Sequence, residues 1–311
     1  MRVVIAEFMD DAAVASLRAH HAVDYDATLV ERRADLIAAV RYADALIVRN
    51  RTQVNAELIA ASARLRVIGR LGVGLDNIDL AACAARAIEV IPASGANALA
   101  VAEYVIASAF VLMRGAYFST GTVSAGKWPR AALSSGRELH GRTLGVVGFG
   151  SIGRTTARLG RAVGMIALGC DANIPAAAPV WREERTTQRT FEDLLREADV
   201  VSLHVPLTAA TRGLIGSEQL ALMKHDAILV NTARGGVVDE PAVAAALRAG
   251  RLAGAALDVF ETEPLPAGSP LAGCPNLILT PHVAGVTLES NVRVSTLIAD
   301  KVAAALGAHE P

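Results

Sequence analysis

The chain has 311 residues, 52% of them hydrophobic and 20% charged, a length that suits two domains and a composition that supplies a large core. Its formal net charge of -1 argues against a general electrostatic hold on nucleic acid or anionic lipid. Cys83, Cys170 and Cys274 are odd in number and far apart, so neither a disulfide framework nor a metal site is expected. The opening MRVVIAEFMD carries acids where a signal peptide would be apolar, and no segment offers about 18 uncharged apolar residues. A soluble, cytoplasmic protein is expected, with no membrane partner.

In chain order, VVIA (3–6), DALIVR (44–49) and RVIGR (66–70) predict strands, separated by helical patterns such as Glu31–Val40 and Asn55–Ala61. That alternation implies a parallel sheet covered on both faces. After Pro92, SGANALAVAEYVIASAFVLMRGAY predicts a long, nearly uncharged helix that must be buried. Gly115 to Gly141 is too long and irregular for an ordinary connection. From Thr143 a second series offers six strands: TLGVVGF, MIALGCD, DVVSLHV, AILVN, AGAALDV and NLILT. Six is the strand count of a dinucleotide-binding fold. A last helix, about Leu288 to Leu306, lies beyond the series and is free to return to the first unit.

Gly148-Phe149-Gly150-Ser151-Ile152-Gly153 follows the strand TLGVV and opens a helix. A lone GxGxxG is weak, but between strand and helix it predicts a pyrophosphate on a helix N-terminus. Asp171 ends the next strand, eighteen residues past Gly153. A carboxylate there accepts bonds from ribose hydroxyls and repels a 2′-phosphate, so NAD is expected rather than NADP.

Three further segments follow strands of this series: Arg234 after AILVN, Asp258 and Glu263 in ALDVFETEP, and His282 in LTPHVAG. Ligands bind outside the carboxyl ends of strands in open α/β sheets. Reduction of a 2-oxo acid needs a cation for the carboxylate and ketone, which Arg234 supplies, and a proton donor, which His282 supplies. Glu263 beside His282 would stabilise the imidazolium. Taken singly, Arg234 reads equally as a helix cap or a partner for Asp239, and His282 as a satisfied core histidine. Their joint occurrence favours catalysis. His20, His21 and His204 read as structural.

The segments RLGVGLDNID (70–79), GANALAVAEY (95–104), GVVGFGSIGR (145–154), SLHVPLTAATRGLI (202–215), VNTARGGVVDE (230–240), ALDVFETEPL (256–265) and LTPHVAGVT (279–287) resemble the D-isomer-specific 2-hydroxyacid dehydrogenase family, especially its phosphoglycerate-dehydrogenase-like branch. The resemblance covers nearly the whole chain. It implies two doubly wound α/β domains: a flavodoxin-like substrate domain from 1–97 and 287–311, and a Rossmann-type NAD domain from 98–286 inserted in it. It implies Arg234, Glu263 and His282 as catalytic residues. Asp258 and the loop from His282 to Gly285 would meet the nicotinamide carboxamide. Val205, Pro206 and Thr211 would flank adenine and ribose, Thr232 and Ala233 the nicotinamide. Val73 and Gly74 would offer backbone N–H groups to the substrate carboxylate. A homodimer is implied, embraced by the Gly115–Gly141 arm and the helix before it.

Glu263 stands where formate dehydrogenases of this fold carry Gln. The chain departs from the branch at VRNRT (48–52), where phosphoglycerate dehydrogenases usually have a small residue at Arg51. With Arg49 and Arg70, Arg51 would suit a second anion on the substrate. AEFMDDAAVASL, RNRT and GVTLESNVRVS look like sulfolactate dehydrogenases of the family, whose substrate bears a carboxylate and a sulfonate. Arg51 reads equally as a solvated loop residue. The same motifs leave open 3-phosphoglycerate or hydroxypyruvate/glyoxylate activity and, in a different class, an NAD(H)-sensing corepressor on the same fold.

Overall fold

The computed structural model describes residues 1–307. Its contacts divide the chain into two units, Met1–Asn97 with the chain from Val286 onward, and Ala98–Gly285.

The first unit holds β1 (Arg2–Ile5), β2 (Ala22–Tyr25), β3 (Ala45–Val48), β4 (Val67–Arg70) and β5 (Glu89–Pro92), all parallel in the order β2-β1-β3-β4-β5. This is the flavodoxin-like order. The three central strands are buried along almost their whole length, whereas the edge strands AVDY and EVIP keep partly exposed polar residues. That difference explains why only the central three carry a clear apolar signal. The last helix, Leu288–Gly307, sets Val294, Ile298, Val302 and Leu306 into one core with Val3, Ile5, Ile47 and Val67. Side-chain caps define helix starts: Asp10 accepts from Ala12 N at 3.1 Å and Asn55 from Leu58 N at 3.1 Å.

The second unit holds β6 (Thr143–Val147), β7 (Ile166–Cys170), β8 (Thr187–Gln188), β9 (Val200–Leu203), β10 (Ile228–Asn231), β11 (Gly254–Leu257) and β12 (Leu277–Leu279). They form one parallel sheet in the order β12-β11-β10-β9-β6-β7-β8. Within the unit this is the dinucleotide-binding order 3-2-1-4-5-6 with a seventh strand added beyond the sixth. All six expected strands are present. The extra one, β8, takes the third position with two residues, too short to show any periodicity.

The helix Ala98–Arg114 is buried on most of its surface, but Leu99, Glu103, Ala107, Phe110 and Arg114 form an exposed stripe at helical spacing. Its composition predicts complete burial; in the single chain one face stays open. The stretch after it contains the short helices Ala116–Ser119 and Thr120–Ser124, then irregular backbone, and exposes Tyr117, Phe118, Val123 and Trp128. Among the described residues no single helix is long and apolar enough to cross a membrane; the bent pair Ala98–Arg114 and Ala116–Ser124 has that length and composition, and most of its first helix is buried.

Candidate active site

Every strand of the second unit points the same way, so the segments after β6, β7, β10, β11 and β12 leave one edge of the sheet. After β6, Gly148 adopts φ +90°, and a Cβ there would lie 2.6 Å from the His204 carbonyl oxygen. A Cβ on Gly153 would lie 2.1 Å from the Gly148 carbonyl oxygen. Those two glycines let the turn and helix close on each other. Gly150, the N-cap of the helix Ser151–Ala162, has nothing among the described residues within 4 Å of its Cβ position. Here the backbone stands open to an approaching pyrophosphate, with Ser151, Ile152 and Gly153 in the first helical turn. At the end of β10, the Thr232 hydroxyl is buried without a hydrogen-bond partner among the described residues. An open glycine cradle and an orphaned hydroxyl on the same sheet edge suit a dinucleotide.

Asp171 ties the cradle to the end of β7. Its Oδ2 accepts from Phe149 N at 2.7 Å and its Oδ1 from Asn173 N at 2.9 Å. Each oxygen retains one acceptor position for a ribose hydroxyl. Asp171→Ala is therefore expected to weaken NADH binding and to narrow the preference over NADPH, because ribose bonds and phosphate repulsion vanish together. Fluorescence titration of both cofactors measures this; an unchanged preference would remove Asp171 from the ribose site.

Beyond β9, Thr211 Oγ1 donates to Pro206 O at 2.6 Å and accepts from Thr208 N at 2.8 Å, closing the Val205–Thr211 loop on itself. His204 bonds through Nε2 to Ser202 Oγ at 2.9 Å. Desolvation pushes its pKa down to about 3, so it stays neutral near neutrality. A histidine depressed below its unfolded value near 6.5 gives its full stabilisation above that pH and loses it as pH falls toward 3. Urea unfolding at pH 7.5 and 5 should show a larger loss for the wild type than for His204→Gln; equal losses would mean that His204 does not set the acid limb.

The chemistry-bearing loops are cross-braced. Asn231, buried at the end of β10, accepts from Ala233 N at 3.0 Å and donates to Arg234 O at 3.1 Å, fixing the turn that presents Arg234. The next residue, Gly235, has its Cβ position 1.8 Å from the Phe260 carbonyl oxygen. Only glycine lets the Arg234 loop lie against the loop after β11. In that second loop Glu263 Oε1 accepts from Phe260 N at 3.1 Å, and Oε2 lies 2.8 Å from His282 Nδ1. A carboxylate has no proton to give, so Nδ1 carries the hydrogen and Nε2 is the ring nitrogen outside that pair. Both side chains stay about a third exposed, at 37% and 36%.

His282 occupies the left-handed backbone region, φ +57°, held by bonds from its N–H to Asp258 O at 2.8 Å and Thr280 O at 3.0 Å. The Asp258 carboxylate is 1% exposed. Its Oδ1 accepts from Thr280 Oγ1 at 2.6 Å and Val283 N at 2.8 Å, and its Oδ2 from Ala284 N at 2.9 Å. One acceptor position remains on Oδ2. Asp258 thus shapes the His282–Gly285 loop. Asp239 caps the helix Glu240–Arg248 through Ala242 N at 3.0 Å, which accounts for that acid.

Arg51, Val73 and Gly74 belong to the first unit, in loops after β3 and β4. Arg51 is 61% exposed and 3.3 Å from the equally exposed Glu31. Arg49 is better held: Nη2 donates to Asn291 Oδ1 at 2.9 Å, and its guanidinium lies 5.6 Å from the Phe8 ring centroid. Desolvation lowers its pKa, against the opposing charge of Glu7. Arg70 is nearly buried and donates to Leu71 O at 2.9 Å. Two residues are not nominated by the linear motifs, the brace Asn231 in the second unit and the buried acid Glu7 in the first. Their faint signals are an amide closing an apolar strand and an acid just after β1.

Residues 106–284, more than half of the chain, match the D-isomer specific 2-hydroxyacid dehydrogenase, NAD binding domain family. The chain belongs to the D-isomer specific 2-hydroxyacid dehydrogenases, NAD-dependent oxidoreductases built on the two-unit fold described above. It is 54% identical over 305 residues to the (S)-sulfolactate dehydrogenase of Chromohalobacter salexigens, with 98% of each chain covered. It is 38% identical to a D-3-phosphoglycerate dehydrogenase of Archaeoglobus fulgidus, covering 97% of this chain but 56% of that one. The crystal structure of the TT0316 protein from Thermus thermophilus superimposes with a TM-score of 0.86 at 34% identity, covering 100% of this chain and 98% of that one.

Proposed function

We propose that the chain interconverts a compact dianionic 2-hydroxy acid and its 2-oxo acid, with sulfolactate and sulfopyruvate as the favoured pair. The full-length similarity to a sulfolactate dehydrogenase carries the substrate reading. The His282–Glu263 pair carries the chemical one. Residues 98–286 serve as the cofactor domain, and 1–97 with 287–311 as the substrate domain. Gly148, Gly150, Ser151, Ile152 and Gly153 hold the pyrophosphate and Asp171 a ribose. Val205, Pro206 and Thr211 flank adenine and its ribose. Thr232, Ala233 and Gly285 line the nicotinamide, whose carboxamide takes the remaining acceptor position of Asp258. Bound NADH supplies the two electrons of ketone reduction.

Arg234 binds the substrate carboxylate and polarises the ketone. Val73 and Gly74 give backbone N–H groups to the same carboxylate. His282 donates its Nε2 proton to the ketone oxygen, while Glu263 keeps the ring oriented through Nδ1. Arg51 takes the second anion, exchanging the exposed Glu31 for a sulfonate. That exchange gives up little, because exposed ion pairs are worth roughly 0–1 kcal/mol.

NADH consumption with sulfopyruvate, phosphohydroxypyruvate, hydroxypyruvate and pyruvate tests the reading, with sulfopyruvate expected to give the highest kcat/KM. A clear preference for phosphohydroxypyruvate would shift the function to 3-phosphoglycerate oxidation, the activity named for the Archaeoglobus relative. No turnover on any of them, with NADH still bound, would indicate a sensor. The exposed Leu99, Phe110, Tyr117, Phe118 and Trp128 support a homodimer, and the cytoplasm is the proposed compartment. A monomer by light scattering at micromolar concentration would contradict the dimer.

A further inference from the structure

Glu7 lies just after β1 and is only 5% exposed. Acidic side chains are almost never buried to that extent unless their oxygens are engaged. Its partners are three backbone N–H groups from a single loop. Oε1 accepts from Arg49 N at 2.8 Å and Thr52 N at 3.1 Å, and Oε2 from Arg51 N at 3.3 Å. Asn77, itself buried, holds the same loop from its carbonyl side. Its Nδ2 donates to Arg49 O at 2.9 Å and Thr52 O at 2.7 Å. Both polar side chains therefore direct these bonds to three residues, Arg49, Arg51 and Thr52, of one four-residue turn.

We infer that Glu7 and Asn77 are positioning residues of a specificity loop, and that they make the enzyme discriminate dianionic from monoanionic 2-oxo acids. The inference rests on the dianionic reading above and adds to it the device that fixes the geometry. Arg51 is long, exposed and weakly paired, so by itself it has no defined position. Rotamer freedom of this kind is costly to freeze on binding. A backbone anchored at Arg49 N, Arg51 N and Thr52 N fixes where each side chain starts. Glu7 also sits beside Arg49, whose guanidinium is fastened by Asn291 and the Phe8 ring. The two basic residues are thus carried on one rigid turn, one packed and one free to close on a ligand.

Carboxylate is the required group here. It offers acceptors only, and three N–H donors converge on it. Gln in its place has one acceptor oxygen and an NH₂ group that would face an N–H, so the loop loosens while the side-chain volume stays the same.

The test uses the full-length enzyme with NADH and measures kcat/KM for sulfopyruvate and pyruvate in the wild type, Glu7→Gln and Asn77→Ala. Thermal melts and NADH titrations accompany the kinetics. For Glu7→Gln the expected result is a fall of about ten-fold or more for sulfopyruvate, mostly in KM, against less than three-fold for pyruvate. NADH affinity should be unchanged, and Glu7→Asp should recover part of the loss. Asn77→Ala, which leaves the carboxylate in place, should shift the same ratio in the same direction if Glu7→Gln does not fold. Equal losses for both substrates, or an unchanged ratio in a folded variant, would overturn the inference. A wild type with no preference between sulfopyruvate and pyruvate would instead defeat the dianionic reading, before either variant is made.

Discussion

Replacing His282 with Ala is expected to lower kcat by about 10²–10⁴, the usual value of a positioned acid–base group. Nδ1 is committed to Glu263 at 2.8 Å, so Nε2 is the ring atom available to a ketone oxygen. The loop that presents the ring is held by Asp258 through backbone N–H groups of Val283 and Ala284, which the substitution leaves in place. NADH affinity should accordingly survive, since the glycine cradle and Asp171 are untouched. Glu263→Gln should cost less than removing the ring, because an amide oxygen still accepts from Nδ1. Stopped-flow single turnovers separate the proton-transfer defect from product release. A His282→Ala enzyme within ten-fold of the wild type would assign the proton to another group.

Arg51→Ala is the second large effect expected, and it is a difference between substrates. If the guanidinium meets a sulfonate, kcat/KM for sulfopyruvate should fall by an amount equivalent to roughly 1.5–3 kcal/mol, the range of a charge-assisted bond. Pyruvate has no second anion and should be nearly unaffected. The loss should appear in KM where the tail is gripped equally in ground and transition states. The partner given up on binding, Glu31, is 60% exposed, so its release into water costs little. Equal losses for both substrates would place Arg51 in folding or at the shared carboxylate. Removal of the Arg49 side chain is a harsher change, because it also strips the Phe8 ring and Asn291 of a contact.

Much of this molecule is legible in one dimension. ALIV, VVSL and ILVN are buried strands because almost nothing polar interrupts them, and parallel sheets covered on both faces select for that. Gly148 and Gly153 are readable because no other residue permits the approach of backbone to backbone that the turn makes. Arg234, Glu263 and His282 can be nominated because each follows such a strand, and parallel strands deliver their ends to one edge. What the linear pattern cannot contain is which atoms then meet. The bond between Glu263 and His282 spans nineteen residues, and it exists because β11 and β12 are neighbours in the sheet. Thr187–Gln188 is a strand only because β7 offers it a ladder; two residues have no period of their own. Glu7 reads as a surface acid until three N–H groups from a loop more than forty residues away close around it. The two arginines of RNRT are equivalent as letters. Tertiary structure makes them different, packing one against an aromatic ring and leaving the other in water, because desolvation and hydrogen bonding depend on distances between segments that sequence order does not specify.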